Sequence, residues 1–193
     1  MVALRKTPPT MDLPAFLAWD APPNSHWQLV DGEPRAMAPA SVPHNIILGN
    51  LNARIWNHLD TRDSPCVVVP NAGVVPRARS RDNYRVPDLA VACSGIETDD
   101  FALSEPVLLA EILSPSNKAE TWTNIWAYLT IPSVREVLVL HSTSVQAEIL
   151  RREPDGTWPD RAVSVTEGLL ELESIGFSVA LTVLYARTRL ARA

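Results

Sequence analysis

Asp88 and Glu111 are the residues whose type and spacing point most directly to chemistry. Asp88 follows Pro87 at the head of the apolar run DLAVAC, and 23 residues later Glu111 is the only charge in the run VLLAEIL, residues 107–113. Each run reads as a strand. An ionised carboxylate inside a buried strand is costly unless an arginine, a proton or a metal ion accompanies it. If the two strands are neighbours, both carboxylates converge at one edge of the sheet. A structural ion pair and a functional site are the two readings of Glu111 taken alone.

The elements that must hold these acids are legible in the periodicity. Residues 10–19 read as a short helix with Thr10 as N-cap and Leu13, Phe16 and Leu17 on one face. WQLVDGEPRAM gives two strand pieces around the turn pair Asp31-Gly32. Over residues 41–59, Ile47, Leu51, Ile55 and Leu59 recur every fourth residue, the pattern of an amphipathic helix packed on something flat. CVVVP at 66–70 is a short strand, and GVVPRARSRDNYRV a strand running into an arginine-rich loop.

The strand carrying Glu111 is broken by Ser114-Pro115. Asn117 and Glu120 then form a capping-box pattern, and Trp122, Ile125, Trp126 and Leu129 trace a helical face. Strands at 136–141 and 145–152 and a terminal helix over LTVLYART complete the order. The fold class is α/β (α+β mixed sheet), a central mixed β-sheet with helices on its faces, in one domain spanning residues 1–193.

RVPDLAV, VLLAEILSPS and a helix ending in a tyrosine before IPSVREVLVL resemble the Uma-two family of restriction-endonuclease-like proteins, within the PD-(D/E)xK nuclease superfamily. WQLVDGEPRAMAPASVPH looks like that family's N-terminal signature, so the resemblance covers most of the chain. It implies a restriction-endonuclease-like core and a site in which Asp88 and Glu111 bind Mg²⁺ or Mn²⁺, with the carbonyl of Ile112 as a third ligand. Hard oxygen donors suit such ions, which activate water against a phosphodiester. Glu33 matches the extra acidic residue that such sites draw from the N-terminal region. His44 matches a position where the family often has histidine, and helix capping, a surface role and catalysis all stay open for it.

The departure from the family pattern lies in the lysine. Leu113 stands where the (D/E)xK lysine belongs, and Asn124 stands where many members place it instead, four residues before the tyrosine matching Tyr128. Lys118 is the only lysine nearby. Four residues before Trp122 and seven before Ile125, it shares their stripe on an ideal helix, where it could reach Glu111 or a developing phosphorane charge. A first-turn surface lysine is the other reading.

A formal charge of -5 argues against a surface that is basic throughout. Arg77, Arg79, Arg81 and Arg85 nevertheless crowd the loop before Asp88, where they could hold a DNA backbone, and Arg187, Arg189 and Arg192 read as a solvated tail. Cys66 and Cys93 read as two small buried hydrophobes rather than a disulfide or zinc site. No run approaches a membrane span, and MVALRKTPPT lacks the apolar core of a signal peptide, so a cytoplasmic protein is expected. Six tryptophans and the habits of the superfamily point to a homodimer; a well-filled core accounts for the same residues. Two functions result: a Mg²⁺-dependent endonuclease acting on DNA, or a nuclease-fold binding module that has lost catalysis.

Overall fold

The computed structural model describes residues 10–192 other than 24, 99 and 116, with the side chain of Arg192 also outside the description. The segment read for a signal peptide therefore lies, apart from Thr10, outside the described residues, as does the side chain of Arg192 in the basic tail.

The first helix, α1 (Leu13–Leu17), is capped by Asp12, which accepts from Ala15 N–H at 3.1 Å; Thr10, the expected cap, lies two residues too early. β1 (Trp27–Val30) and β2 (Glu33–Ala36) form the expected hairpin, with Asp31 and Gly32 both at positive φ, the backbone that a two-residue turn requires. α2 (Val42–Asp60) follows, opened by Ser41, whose hydroxyl accepts from His44 N–H, and by Pro43 in its first turn.

A six-stranded mixed sheet is the centre of the fold. Its order is β3 (Val67–Pro70), β4 (Leu89–Ala92), β5 (Pro106–Leu113), β6 (Glu136–His141), β7 (Ala147–Arg151) and β8 (Val163–Val165). All neighbours are antiparallel except β5 and β6, which are parallel and joined through α3 (Lys118–Tyr128), the crossover that parallel strands need. β9 (Leu169–Leu172), β10 (Phe177–Ala180) and the four-residue α4 (Leu181–Leu184) close the chain. β8, β9 and β10 escape the sequence reading because their alternation is short and only partly apolar, and the expected terminal helix keeps a single turn.

Period-2 alternation along β5 sorts its side chains between two cores. Leu108, Ala110 and Ile112 join Ile47, Leu51, Ile55 and Leu59 of α2 on one face. Leu109 and Leu113 join Ile125 and Tyr128 of α3 on the other. Glu111 shares the second parity, so its carboxylate takes the place of an apolar side chain beneath α3.

That helix is rotated from the face the sequence suggested. Thr121, Asn124, Ile125 and Tyr128 are buried, whereas Trp126 is 61% exposed. The expected capping box is also absent: Asn117 Oδ1 instead accepts from Ser114 N–H and Ser114 hydroxyl at 2.8 Å each, closing the turn after β5. The rotation turns a polar stripe inward, toward Glu111.

Cys66 and Cys93 form a disulfide, correcting the expectation of two free hydrophobes. Val67 pairs with Ala92, so the next step of the same antiparallel register sets the two cysteines face to face. Composition alone carries no register. Among the described residues, no helix is long and apolar enough to cross a membrane.

Candidate active site

Sheet register builds the centre of the site. Leu89 pairs with Ala110, and one step further along the same antiparallel ladder sets Asp88 opposite Glu111. The expected convergence of the two acids is realised, with Asp88 only 8% and Glu111 only 6% exposed.

Asp88 is held from two sides. Its Oδ2 accepts from the backbone N–H of Ile112 at 2.6 Å and lies 3.0 Å from Nε2 of His44. Because a carboxylate only accepts, Nε2 is the protonated nitrogen in this contact. His44 Nδ1 is buried without a hydrogen-bond partner. Burial pulls the imidazole pKa down, yet the hydrogen bond and charge of Asp88 outweigh it and leave His44 above its ordinary value. A surface role for His44 is thus removed.

Glu111 is fixed by α3. Tyr128 is fully buried and donates its hydroxyl to Glu111 Oε1 at 2.7 Å. Burial, then the charge of Asp88, raises the Glu111 carboxyl well above the usual carboxylate range, with the Tyr128 hydrogen bond opposing the shift. Two acids at one site cannot both ionise freely, so each carboxylate charge favours a proton on the other. Burial and the neighbouring Glu111 push the Tyr128 phenol well up, so it remains a donor.

His44, Asp88 and Glu111 line a cleft of about 500 Å³ together with Gln28, Asn117, Glu120 and Asn124. Gln28 Nε2 donates to Glu120 Oε1 at 2.8 Å, and Gln28 Oε1 is buried without a partner. Behind Asn124 stands Arg85, whose guanidinium donates to Asn124 Oδ1 at 2.8 Å and to Asn83 Oδ1 at 2.9 Å. A larger cleft of about 710 Å³ opens at the opposite end of β5 and β6, around Arg135, Glu136 and Arg151. Its buried acid, Glu136, is already satisfied by Arg151 and by the N–H groups of Glu173 and Ser174, so the smaller cleft is the chemical candidate.

The remaining residues singled out in the sequence lie elsewhere. Glu33 is partly exposed, 3.5 Å from Arg35, and does not line the cleft. Lys118 is exposed, makes no ion pair among the described residues and does not line the cleft either. The rotation of α3 keeps Trp122 against the core but leaves Trp126 exposed and Lys118 off the cleft wall, which undoes the geometry expected of Lys118. Arg77, Arg79 and Arg81 are exposed, Arg79 bridging to Asp31 and Asp82 and Arg81 to Asp12. Arg85 is 4% exposed and cannot join them on the surface. Glu120 and Gln28 were missed, although Asn117, Thr121, Asn124 and Tyr128 recur at helical spacing as a polar stripe that signals an inward-facing site.

The donor set fits a hard divalent cation. Two carboxylates converge, the Ile112 carbonyl belongs to the same strand end, and the orphaned Gln28 Oε1 lines the same cleft. No group of three acidic, histidine or cysteine side chains gathers for a metal among the described residues.

Comparison with known proteins gives three findings. The model of the Uma2 family, described as "Putative restriction endonuclease", matches residues 13–183. A protein of Synechocystis sp. described as "Uncharacterized protein slr1290" is 28% identical over 179 residues, covering 92% of each chain. The crystal structure of a "putative nuclease belonging to DUF820" from Anabaena variabilis superposes with a TM-score of 0.74 at 15% identity, covering 91% of this chain and 98% of that one. At that identity the likeness is one of fold.

Proposed function

The chain belongs to the Uma2 family of restriction-endonuclease-like proteins, and from that premise we propose that it is a metal-dependent endonuclease hydrolysing phosphodiester bonds of DNA. The observation that carries this reading is the buried Asp88–Glu111 pair, set opposite each other by strand register at the wall of a polar cleft. No structural ion pair accounts for Glu111: its partners are Tyr128 and Asp88 rather than an arginine.

Asp88 and Glu111 would hold Mg²⁺ or Mn²⁺, with the Ile112 carbonyl beside them. Such an ion supplies Lewis acidity and lowers the pKa of bound water. The chain's own residues do the rest. Ile112 N–H and His44 aim Asp88, Tyr128 aims Glu111, and Glu120 with Gln28 closes the far wall. Arg77, Arg79 and Arg81, exposed on the loop before Asp88, would grip the phosphate backbone, a contact without sequence information. The reading takes residues 1–193 as a single domain of a cytoplasmic protein and a homodimer as the form that cuts two strands. Plasmid cleavage with Mg²⁺ or Mn²⁺ tests it: nicking or linearisation that disappears in Glu111→Ala is expected, and cleavage unchanged by that substitution refutes it.

A second reading is a binding module that has lost catalysis. It is favoured by one observation: Leu113 and Asn124 leave both usual lysine positions without a cation, and Lys118 is exposed. Calorimetry separates the two, since a module without a working site binds neither ion at millimolar concentration.

A further inference from the structure

Among the described residues, Arg85 is a buried cation in ion-pair contact with no carboxylate. It is 4% exposed, its hydrogen bonds go to the amide oxygens of Asn124 and Asn83, and its Nε has no partner. A guanidinium stays charged in this setting. Burying one opposite two neutral amides is a poor choice for stability alone, because a carboxylate partner would offset far more of the desolvation. What the arrangement does achieve is a positive charge directly behind a residue of the cleft wall.

Asn124 is that residue, at one of the two positions where the family resemblance implies a lysine. With Oδ1 turned to Arg85, the group for which Asn124 has no protein partner, and can offer to a ligand of the cleft, is its amide Nδ2, which only donates. The bond also fixes which way the amide faces. A donor backed by a guanidinium is stronger than an isolated amide, as hydrogen bonds assisted by charge are.

We propose that Arg85 and Asn124 act as one unit in place of the missing lysine: Asn124 Nδ2 donates to an anionic oxygen of the phosphodiester beside Glu111, and Arg85 orients and polarises it. The inference rests on the nuclease reading and deepens it. Asn124 is the catalytic residue, and Arg85 is a positioning residue acting through it.

Asn124→Asp tests the unit cleanly, because it gives Arg85 a counter-ion while removing the donor. The melting temperature is expected to hold or rise, while kcat on a DNA duplex with Mn²⁺ falls about a hundredfold, the scale of a lost transition-state donor. Arg85→Met is expected to lower kcat with little change in KM, with Arg85→Lys recovering part of the loss. Calorimetry adds a readout apart from activity: Mn²⁺ is expected to bind Arg85→Met about threefold more tightly, because a neighbouring positive charge is gone. Cleavage by Asn124→Asp within about threefold of the parent, or Mn²⁺ binding no tighter in Arg85→Met, overturns the unit while the nuclease reading stands. A parent that neither cleaves DNA nor binds Mn²⁺ overturns that reading and the unit with it.

Discussion

The backbone N–H of Ile112 donates to Asp88 Oδ2 at 2.6 Å, so the strand that carries Glu111 also aims the acid opposite it. One β-ladder therefore supplies both carboxylates and part of their orientation. With Oδ2 already accepting from Ile112 and His44, a proton shared by the pair is best carried by Glu111, where burial and the Asp88 charge favour it.

That assignment has a consequence for the metal-free protein. The folded chain holds the Glu111 proton more tightly than the unfolded chain, whose glutamate titrates near its ordinary value of about 4.3. The resulting stabilisation is complete below that value and is lost as pH rises through the raised folded pKa. Glu111→Gln mimics the protonated acid and keeps an oxygen for Tyr128. In EDTA, urea denaturation should show the Gln variant gaining about 1–3 kcal/mol on the parent between pH 5 and pH 8. A difference that stays constant with pH would place the proton elsewhere.

A bound cation should reverse this penalty, because it takes the role of the shared proton. At pH 8, Mn²⁺ at ten times its dissociation constant is expected to stabilise the parent by about 1.4 kcal/mol. Asp88→Asn and Glu111→Gln each remove a charged ligand and should show no such gain in thermal melting. A full gain in either variant would mean that the ion binds outside the pair.

Glu33 and Lys118 offer the opposite test. Neither lines the cleft, and Glu33 sits beside Arg35 at the surface. Glu33→Gln and Lys118→Ala should cleave DNA within about threefold of the parent, where Glu111→Ala loses more than about a hundredfold. Single-turnover rates on one duplex substrate decide it. A large loss in Lys118→Ala would show that the first turn of α3 closes over the cleft when DNA binds.

The acids were legible because a lone charge in an apolar strand violates its own pattern, and neighbouring strands then have few ways to place it. Their convergence needed only that the two strands be neighbours; the antiparallel register that sets Asp88 opposite Glu111 comes from the structure. The cation was not legible. Arg85 reads as one of four arginines in a loop, and the isolated bridges pairing Leu29 with Tyr84 and Val74 with Arg85 show that the chain has turned back against the body of the fold there. Lys118 failed for a related reason: large apolar residues set the expected face of α3, yet Tyr128, with its hydroxyl satisfied by Glu111, competes successfully with Trp126 for the interior. A hydrophobic stripe cannot rank a buried phenol against an indole when the partner that satisfies the phenol lies on another element.

The disulfide links the sheet edge to the site through the chain it encloses. Cys66 and Cys93 are 27 residues apart, and the loop they close contains the exposed arginines, Arg85 and Asp88. Closing a loop of that length restricts the unfolded chain enough to be worth about 3.5 kcal/mol in the chain-entropy account. Reduction, or Cys93→Ser, should therefore lower the urea midpoint by a corresponding amount. The metal site should respond much less, because Asp88 is held by Ile112 N–H and by His44, neither of which lies in the loop. Mn²⁺ affinity is expected to change less than about threefold on reduction while the folded baseline persists. If affinity collapses together with stability, the position of Asp88 depends on the cross-link rather than on β5, and the register argument for the site gives way.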